Sequence, residues 1–446
     1  MFVAKFGGTS IAKKSEILTI IDIVKKNLKK QPILVVSAIS GVTEKLLSLP
    51  DAKKKDKKEI ISSVRQMHVK LINDLSLDES SVKYLDKELG KLSELISGKK
   101  LSPSGMDKLV SYGEIISSFI IANVLVKNGI KSVQVISTKL IVTDDNFQNA
   151  EFLSKETQRK TKKILYPLIK DGIVPVVTGF IGANKKNQIT TLGRGGSDYS
   201  ASIIGFSLGV EEIQIWTDVD GIFTSDPRVV KSARPLNIIS FREASELATF
   251  GAKVLHPRTI KPAIKAGIPV RVLNTFNPTY AGSLIKKENI NVGFVKAISF
   301  KRNIALVNIY STEMLLQKGF LVRVFQIFAE NKISIDLVSV SEVSVSVTLD
   351  NKEGLDKSIK TLSKFSNITR SDNLGIVSLI GEGITSAAHT IRRIFDILER
   401  EKILVRMISL GATDINISIV IESDKIEKAV RVLHNRLLLR NGTISI

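Results

Sequence analysis

The sequence predicts an α/β protein: a three-layer, mostly parallel sheet with helices on both faces, followed by two small βαββ modules of the ferredoxin-like kind. Two observations carry this prediction. Short apolar runs alternate with helical patterns over the first two thirds of the chain, which is typical of parallel sheets covered by helices. The last third contains an internal repeat with an offset of 70 residues. A length of 446 residues accommodates two or three domains.

The first strand is expected within residues 1–6, because this stretch is short and apolar and Gly7-Gly8 breaks it. Ser15 is the expected N-cap of the helix that follows. Residues 33–36 form a continuous apolar run of the kind that is buried on both faces of a parallel sheet. Further runs of this kind, with helical patterns such as residues 115–127 between them, occur at 133–136, 174–177 and 213–216.

Two stretches of different composition suggest the organisation of the first domain. Residues 51–100 are rich in Lys, Ser and Leu, have helical spacing and show no strand signal, so a helical insertion is expected there. The polar stretch SLIKKENIN, residues 283–291, indicates the joint to the next domain. The first domain is therefore expected at residues 1–290.

The repeat in the last third defines two modules. Each copy has an amphipathic helix, a strand, a polar turn and then alternating β-branched residues. This order predicts a βαββ module at residues 295–372 and a second one at 373–446. Alternation of period two indicates sheets with one buried face. The residues that recur are Phe325, Ile327, Lys332, Ile333 and Ser339, which match Phe395, Ile397, Lys402, Ile403 and Ser409.

Composition excludes several classes of protein. The chain has no cysteine, which rules out disulfide scaffolds, thiolate nucleophiles and thiolate metal sites. Only four histidines argue against a histidine-rich metal centre, and no metal ligand is assigned to the protein. The longest uncharged apolar stretches run to about a dozen residues, below the roughly 18 that cross a bilayer. The start, MFVAKFGGTS, lacks a signal-peptide pattern, so a cytoplasmic protein without a membrane span is expected.

The net charge of +21 raises the question of nucleic acid. Five lysines crowd residues 53–58, but no aromatic residue is interleaved among them for base stacking. A solvated helical face is therefore the favoured interpretation, and no nucleic-acid partner is expected. Elution from heparin only at high salt would favour the alternative.

The segment KFGGTS, residues 5–10, ends the first predicted strand. Its glycines allow backbone N–H groups to approach a phosphate closely, and Lys5 supplies a positive charge. It lacks the longer glycine loop and terminal Lys-Ser/Thr of the P-loop. Taken alone, such a turn is more often structural than functional.

The segment TTLGRGGSD, residues 190–198, surrounds an arginine with three glycines and ends in a Ser-Asp pair that opens a predicted helix. Helix N-termini attract anions, and Arg194 can bind a carboxylate with two parallel hydrogen bonds. The alternative is a flexible loop capped by Ser197 or Asp198.

Two further polar segments follow apolar ones. Residues 216–228 come directly after a predicted strand, where ligands bind in open α/β sheets, although Asp-Gly and Asp-Pro turns explain the composition equally. Residues 251–257 offer Lys253 as a second phosphate contact. His256 precedes a proline and is interpreted as a packed residue rather than a base.

These segments together resemble the aspartate kinases of the amino-acid kinase family. The 70-residue repeat resembles the tandem ACT modules of that family, which are interleaved, so residues 295–300 are expected to give a strand to the second module. The chain ends soon after the second repeat, so an enzyme with a single activity is expected. The matching motifs are KFGGTS from Lys5, VVSAISGVT from Val35, SYGEIIS from Ser111, TLGRGGSD from Thr191, TDVDGIFTSDPR from Thr217 and FGAKVLHP from Phe250.

The resemblance implies that ATP and L-aspartate react to give ADP and 4-phospho-L-aspartate, the first step toward lysine, threonine, methionine and diaminopimelate. The attacking carboxylate, with an ordinary pKa of about 3.9, is already ionised at neutral pH, so no general base is needed. The enzyme's task is then to align two anions and to neutralise the transferring phosphoryl group. The alternatives are a kinase of glutamate or acetylglutamate, and an amino-acid-sensing module without catalysis.

The resemblance also implies roles for individual residues. Lys5 and Lys253 would contact the ATP phosphates, and Mg²⁺ would be held largely by those phosphates. Asp198 would either join Glu114 in binding the substrate ammonium or orient the two lysines. The remaining nucleotide contacts would be Gly7, Gly8, Ser10, Thr217, Asp218, Phe223 and Arg228, and the remaining aspartate contacts would be Ser37 and Thr43 at the reacting carboxylate and Arg194 at the α-carboxylate.

Regulation is expected in the first ACT module. An end-product amino acid, with lysine favoured, would bind between modules of a homodimer or a dimer of dimers. Four positions depart from the family's pattern: Glu44 brings a negative charge near the substrate, Phe223 lacks a hydroxyl, and Leu316 and Gln317 replace polar residues. The effector residues would be Met314, Gly319, Phe320, Leu321, Ser334, Ile335 and Asp336.

Overall fold

The computed structural model describes residues 1–97, 100–250, 255, 257–287, 293–315, 318–411 and 413–438, which form two compact units. The described residues of the first unit are 1–97, 100–222, 235–241, 255 and 257–287. Those of the second unit are 223–234, 242–250 and 293–438, with the gaps given above. Two short segments from the first two thirds of the chain therefore belong to the second unit.

The first unit contains an eight-stranded sheet in the order β3-β5-β2-β1-β8-β10-β11-β9, and β4-β6-β7 form a small second sheet. Neighbours in the large sheet are parallel except β10 and β11. All residues of β2 and β5 are buried, so both faces of the sheet are covered there. The strands are β1 (Phe2–Phe6), β2 (Pro32–Val36), β3 (Ser132–Val135), β4 (Val142–Thr143), β5 (Val174–Thr178), β6 (Ile181–Asn184), β7 (Ile189–Thr191), β8 (Glu212–Thr217), β9 (Ile238–Ser240), β10 (Val270–Asn274) and β11 (Ser283–Lys286).

Helices cover this sheet. On one face, Phe2, Ala4 and Phe6 of the first strand pack in one apolar cluster with side chains of α1 and α5. The helices are α1 (Lys14–Asn27), α2 (Val42–Ser48), α3 (Lys54–Asp74), α4 (Glu79–Ser97), α5 (Pro103–Lys127), α6 (Ser154–Lys170), α7 (Gly196–Leu208), α8 (Phe241–Thr249), most of which belongs to the second unit, and α9 (Lys261–Ala266).

Helix α5 crosses the centre of the first unit. It begins where the Ser102 hydroxyl accepts the Gly105 N–H at 3.1 Å, with Pro103 in the first turn. By length and composition alone α5 could cross a membrane, but 83% of its apolar window is buried inside the protein. It is therefore the core helix of this unit.

Two helix starts differ from the sequence-based expectation. Ser15 lies inside α1, whose N-cap is Lys13 without a side-chain cap, because the buried face already begins at Glu16 and Ile17. Helix α5 begins twelve residues before the expected 115, because small and polar residues in its first turns hide the apolar period.

The second unit contains one antiparallel six-stranded sheet in the order β13-β14-β12-β15-β17-β16. Its strands and helices are β12 (Ala297–Tyr310), α10 (Phe320–Glu330), β13 (Leu337–Val340), β14 (Ser344–Leu349), α11 (Leu355–Leu362), β15 (Asn367–Ile380), α12 (Ala388–Arg400), β16 (Val405–Leu410), β17 (Asn416–Glu422) and α13 (Ile426–Leu437).

The two longest strands, β12 and β15, each have 14 residues and pair with each other along their whole length. Residues 297–301 of β12 lie beside 376–380 of β15, which also pairs with β17. The later half of β12 pairs with β14. Helices α10 and α11 pack on one half of the sheet and α12 and α13 on the other, each in its own apolar cluster. The predicted fold class, a parallel sheet between helices followed by two βαββ modules, is confirmed.

Candidate active site

The carboxyl ends of β1, β2 and β8 meet at one edge of the large sheet. The parallel register sets Lys5 beside Val35 and Ile215, so the residues that follow these three strands emerge together. Ligands of α/β sheets bind at such an edge. Ser37, Thr217 and the glycine turn after Lys5 all start here.

The glycine turn is required by close approach of two backbones. A Cβ on Gly8 would lie 2.7 Å from the carbonyl oxygen of Ala38 and 2.9 Å from the nitrogen of Ser40. The φ of Gly8, −59°, is ordinary, so space rather than conformation demands glycine. The N–H of Gly7 donates to the carbonyl of Trp216 at 3.2 Å.

A cavity of about 580 Å³ opens at this edge. Its wall combines the ends of β1 and β2 with α2, α5 and the glycine-rich loop before α7. It brings together every predicted aspartate-binding residue and the first predicted phosphate contact. These are Lys5, Ser37, Thr43, Glu114, Arg194 and Asp198.

Lys5 and Asp198 form an ion pair inside the cavity. Lys5 Nζ lies 2.6 Å from Asp198 Oδ1, and the two side chains are 11% and 13% exposed. Asp198 stands in the first turn of α7, which begins after Gly195 in the left-handed region, with a φ of 70°. The carboxylate therefore fixes the lysine ammonium in a largely desolvated place, where its charge is weakly screened.

Glu114 is buried in the wall formed by α5. Its Oε1 accepts the N–H of Ala38 at 3.2 Å, while Oε2 has no hydrogen-bond partner in the described part of the chain. Burial raises the pKa of Glu114 to about 8. In its ionised form this buried group, with one free oxygen, can accept a hydrogen bond from a cationic group of a ligand.

Arg194 and Thr43 lie at the more open side of the cavity. Arg194 is exposed, and no acidic side chain among the described residues pairs with its guanidinium. Thr43 is half-buried in the first turn of α2, followed by the exposed Glu44. The guanidinium is thus available to a ligand carboxylate.

Asp107 is a residue of the wall that no sequence pattern indicated. Its Oδ2 accepts the N–H groups of Gln148 and Thr191 at 2.9 and 2.8 Å, and its Oδ1 accepts the Thr191 hydroxyl at 3.0 Å. Burial raises the pKa of Asp107, and these hydrogen bonds oppose the rise. Asp107 therefore holds two segments of the wall together.

The residues predicted to contact the nucleotide are distributed over both units. Thr217 and Asp218 follow β8 in the first unit, and the Thr217 hydroxyl donates to Asp218 at 3.1 Å. Ser10 is fully buried and its hydroxyl accepts that of Thr275 at 2.8 Å, so its side chain is not on the cavity surface. Lys253 and His256 lie outside the described residues.

Phe223 and Arg228 belong to the second unit. The Arg228 guanidinium pairs with both carboxylate oxygens of Asp226, at 3.0 and 2.7 Å, and its side chain is 80% exposed. Arg228 therefore points to solvent while it is held by its neighbour.

The predicted effector residues lie at the first βαββ module. Asp336 Oδ1 lies 2.6 Å from Lys301 Nζ, which also contacts Asp350 at 3.2 Å. Burial raises the pKa of Asp336, and the neighbouring lysine opposes the rise. Gly319 precedes α10 with a φ of 90°. Phe320 is buried, Met314, Leu321 and Ile335 pack on the apolar cluster of this module, and Ser334 is exposed, while Leu316 and Gln317 lie outside the described residues.

Comparison with known proteins identifies the class. The model of the amino acid kinase family matches residues 1–274, and an ACT domain model matches residues 377–437. The chain therefore belongs to the amino acid kinase family, and it joins that kinase fold to ACT domains.

Individual relatives narrow the class. Aspartokinase 1, chloroplastic, of Arabidopsis thaliana is 36% identical over 99% of this chain and 81% of its own length. Lysine-sensitive aspartokinase 3 of Escherichia coli is 34% identical over 98% of both chains. Within the amino acid kinase family the chain belongs to the aspartokinases, and it is an ATP-dependent phosphotransferase.

Solved structures agree with this assignment. E. coli aspartokinase III in complex with aspartate and ADP, in the R-state, has a TM-score of 0.86 and 33% identity, over 98% of this chain and 99% of that one. The same enzyme in complex with lysine and aspartate, in the T-state, has a TM-score of 0.84 over the same shares of the chains.

Proposed function

We propose that this aspartokinase transfers the γ-phosphoryl group of ATP to the side-chain carboxylate of L-aspartate, giving 4-phospho-L-aspartate. The product would feed the formation of lysine, threonine, methionine and diaminopimelate. The observation that carries the proposal is the single cavity that gathers Lys5, Glu114, Arg194 and Asp198. The E. coli relative that was solved with aspartate and ADP supports it.

The charges of the cavity suit a free amino acid. The exposed guanidinium of Arg194 would bind the α-carboxylate, and the unpartnered Oε2 of Glu114 would accept a hydrogen bond from the ammonium group. Ser37 and Thr43 would then hold the reacting carboxylate near Lys5. Binding would give Glu114 the cation that its buried carboxylate lacks.

Phosphoryl transfer here needs alignment and positive charge rather than a base. Lys5 would contact the transferring group, and its 2.6 Å pair with Asp198 supports the role of Asp198 as the residue that orients the lysine. Because the Gly7 amide already binds the carbonyl of Trp216, Gly8 is the better candidate for an amide contact. Lys253 is proposed as the second phosphate contact.

The nucleotide would extend from Lys5 along the residues that follow β8. Thr217 and Asp218, with Phe223 and Arg228 further along the chain, are proposed to line its pocket, and Ser10 to support the glycine turn from behind. Mg²⁺ would enter on the ATP phosphates and supply further positive charge there. We assign it no protein ligand.

The substrate is tested by ADP release coupled to NADH oxidation, with aspartate, glutamate and acetylglutamate compared side by side. Aspartate alone should support turnover, and Lys5→Ala should lower kcat by about two orders of magnitude or more because phosphate neutralisation is lost. Lys53→Ala, an exposed lysine at the start of α3, is the matched control. Turnover only with another acceptor would reject the proposal.

We also propose inhibition by an end-product amino acid, with lysine favoured, at the residues around Asp336. The E. coli relative is named lysine-sensitive and was solved with lysine. The test is kinase activity against lysine, threonine and their mixture. Asp336→Asn should raise the inhibitory lysine concentration about tenfold or more, since a charge-assisted contact is worth about 1.5–3 kcal/mol. No response of the unmodified enzyme to either amino acid would defeat the idea.

A homodimer or dimer of dimers through the ACT sheet is proposed as the assembly. The outer strands β13 and β16 expose apolar side chains, with Val340 48% and Leu410 52% exposed. Outer strands with apolar surface favour association. Sedimentation would test it, and a monomer at all concentrations would contradict it.

Action in the cytoplasm is also a proposal, to be tested by cell fractionation, since the Arabidopsis relatives are chloroplastic.

A further inference from the structure

The segment of residues 223–234 leaves the first unit and returns to it. At its neck the Leu236 N–H donates to the carbonyl of Ile222 at 2.7 Å. One step further out, the Thr224 N–H donates to the Arg234 carbonyl at 2.9 Å, and the Arg234 N–H donates to the Thr224 hydroxyl oxygen at 3.1 Å. Residues 223–234 thus form a loop that these hydrogen bonds close at its base, and we call this loop the excursion. It follows Thr217 by only a few residues.

The excursion is built into the second ACT module. Val230 is 2% exposed and belongs to the apolar cluster of α12 and α13, against which Val229 and Ala233 also pack. The carbonyl of Thr224 accepts the N–H of Ile298 in β12 at 2.8 Å. The Ser232 hydroxyl donates to Asn435 of α13 at 3.1 Å.

His434 of α13 makes a buried side-chain contact with this excursion. Its side chain is 1% exposed, and Nε2 lies 2.9 Å from the Thr224 hydroxyl. Burial lowers the pKa of His434, so the ring is neutral at physiological pH and acts by hydrogen bonding. Its neighbours on the same face of α13, such as Val430 and Leu437, are apolar, so packing alone does not require an imidazole.

We propose that His434 is a positioning residue for the nucleotide: through Thr224 it holds residues 223–234 so that Phe223 and Arg228 are presented to ATP. The proposal rests on the proposed function, which assigns those two side chains to the nucleotide pocket. Thr224 lies next to Phe223 in the chain. Movement of the Thr224 backbone would therefore also displace Phe223, which would contact ATP.

The same contact links nucleotide affinity to the packing of α13. A nucleotide that needs the ordered excursion would favour the state in which the Thr224–His434 hydrogen bond is formed, and by reciprocity that state would favour the nucleotide. The aspartate-binding side chains lie on other elements, namely α5 and the loop before α7. The two substrates should therefore respond differently to a change at His434.

The experiment compares His434→Leu, Thr224→Val and His434→Gln in the full-length enzyme. Leucine at position 434 removes only the hydrogen bond to Thr224, and valine at position 224 removes it together with the acceptor of the Arg234 N–H. The glutamine amide reaches the place of Nε2. The measurements are KM for ATP, KM for aspartate, kcat, and the dissociation constant of ADP by calorimetry. His68→Leu is the matched control, because His68 is a fully buried histidine of α3 whose Nδ1 lies 2.7 Å from the carbonyl oxygen of Val64.

Loss of one buried hydrogen bond should raise KM for ATP and the ADP dissociation constant about three- to tenfold, with KM for aspartate within about twofold. His434→Gln should recover most of the loss, and His68→Leu should change neither KM. Equal effects on both substrates, or an unchanged ADP dissociation constant in Thr224→Val, would overturn the inference. Failure of the unmodified enzyme to phosphorylate aspartate would instead defeat the proposed function.

Discussion

Glu114 should make aspartate binding depend steeply on pH. With a pKa of about 8, its carboxyl group is mostly protonated at pH 7 in the free enzyme. The substrate ammonium needs the ionised form, which is then about a tenth of the population at pH 7 and about a hundredth at pH 6. Because apparent affinity falls with the competent fraction, KM for aspartate should be about ten times its limiting value at pH 7.

The assay is coupled ADP release between pH 6 and 8.5 with ATP saturating. The value of kcat/KM for aspartate should rise about tenfold between pH 6 and 7, then less steeply, and level off above pH 8. In a second series, with ATP varied and aspartate saturating, kcat/KM for ATP should stay flatter. Glu114→Gln should abolish this titration and lower kcat/KM for aspartate. Glu44→Gln, at the exposed rim of the same cavity, should keep the titration near pH 8. The reasoning is refuted if the profile shows no step in this range, or if Glu114→Gln retains it.

Three further predictions concern the same site. Glu114→Gln should stabilise the ligand-free protein by up to about 3 kcal/mol at pH 7 and hardly at all near pH 4.5, because a raised pKa costs stability once pH exceeds the ordinary value of 4.5. Denaturant titration at both pH values checks this, and an equal change in the free energy of unfolding at the two pH values would contradict it. Asp198→Asn should lower kcat by about ten- to a hundredfold with a smaller change in KM for aspartate, because Lys5 loses the partner that orients it; a pure KM effect would favour ammonium binding by Asp198. Gly8→Ala should cost about 1–3 kcal/mol of stability in thermal unfolding, because its Cβ would meet the Ala38 carbonyl at 2.7 Å, and an unchanged melting temperature would show that the two loops separate easily.

The strands and the repeat could be read from the sequence because their signals are local. The apolar run at residues 33–36 is buried on both faces, as its composition predicts, and the 70-residue offset reappears in α10 and α12. Helix starts were less predictable. At α1 the buried face begins without a side-chain cap, so the serine that looked like a cap lies inside the helix.

The chemistry of the site depended on contacts that no local pattern contains. Burial raises the pKa of Glu114, and the hydrogen bond from the N–H of Ala38, 76 positions earlier in the chain, opposes the rise. The Lys5–Asp198 pair joins the first strand to α7, and Asp107 joins α5 to β7. The sequence motifs indicated Lys5, Glu114 and Asp198 as site residues. Only the fold shows that Asp198 Oδ1 is paired with Lys5 and that Glu114 Oε2 is free.

The two long strands of the six-stranded sheet determine where the second unit can be cut without unfolding it. Because β12 and β15 each run through both modules, a peptide-bond cleavage in the middle of either strand would damage two cores at once. Expression of residues 305–372 alone would leave the later half of β12 and the earlier half of β15 without their continuations. The pair should therefore melt in one cooperative step, and gene fusions or splits should occur before β12 rather than between the repeats.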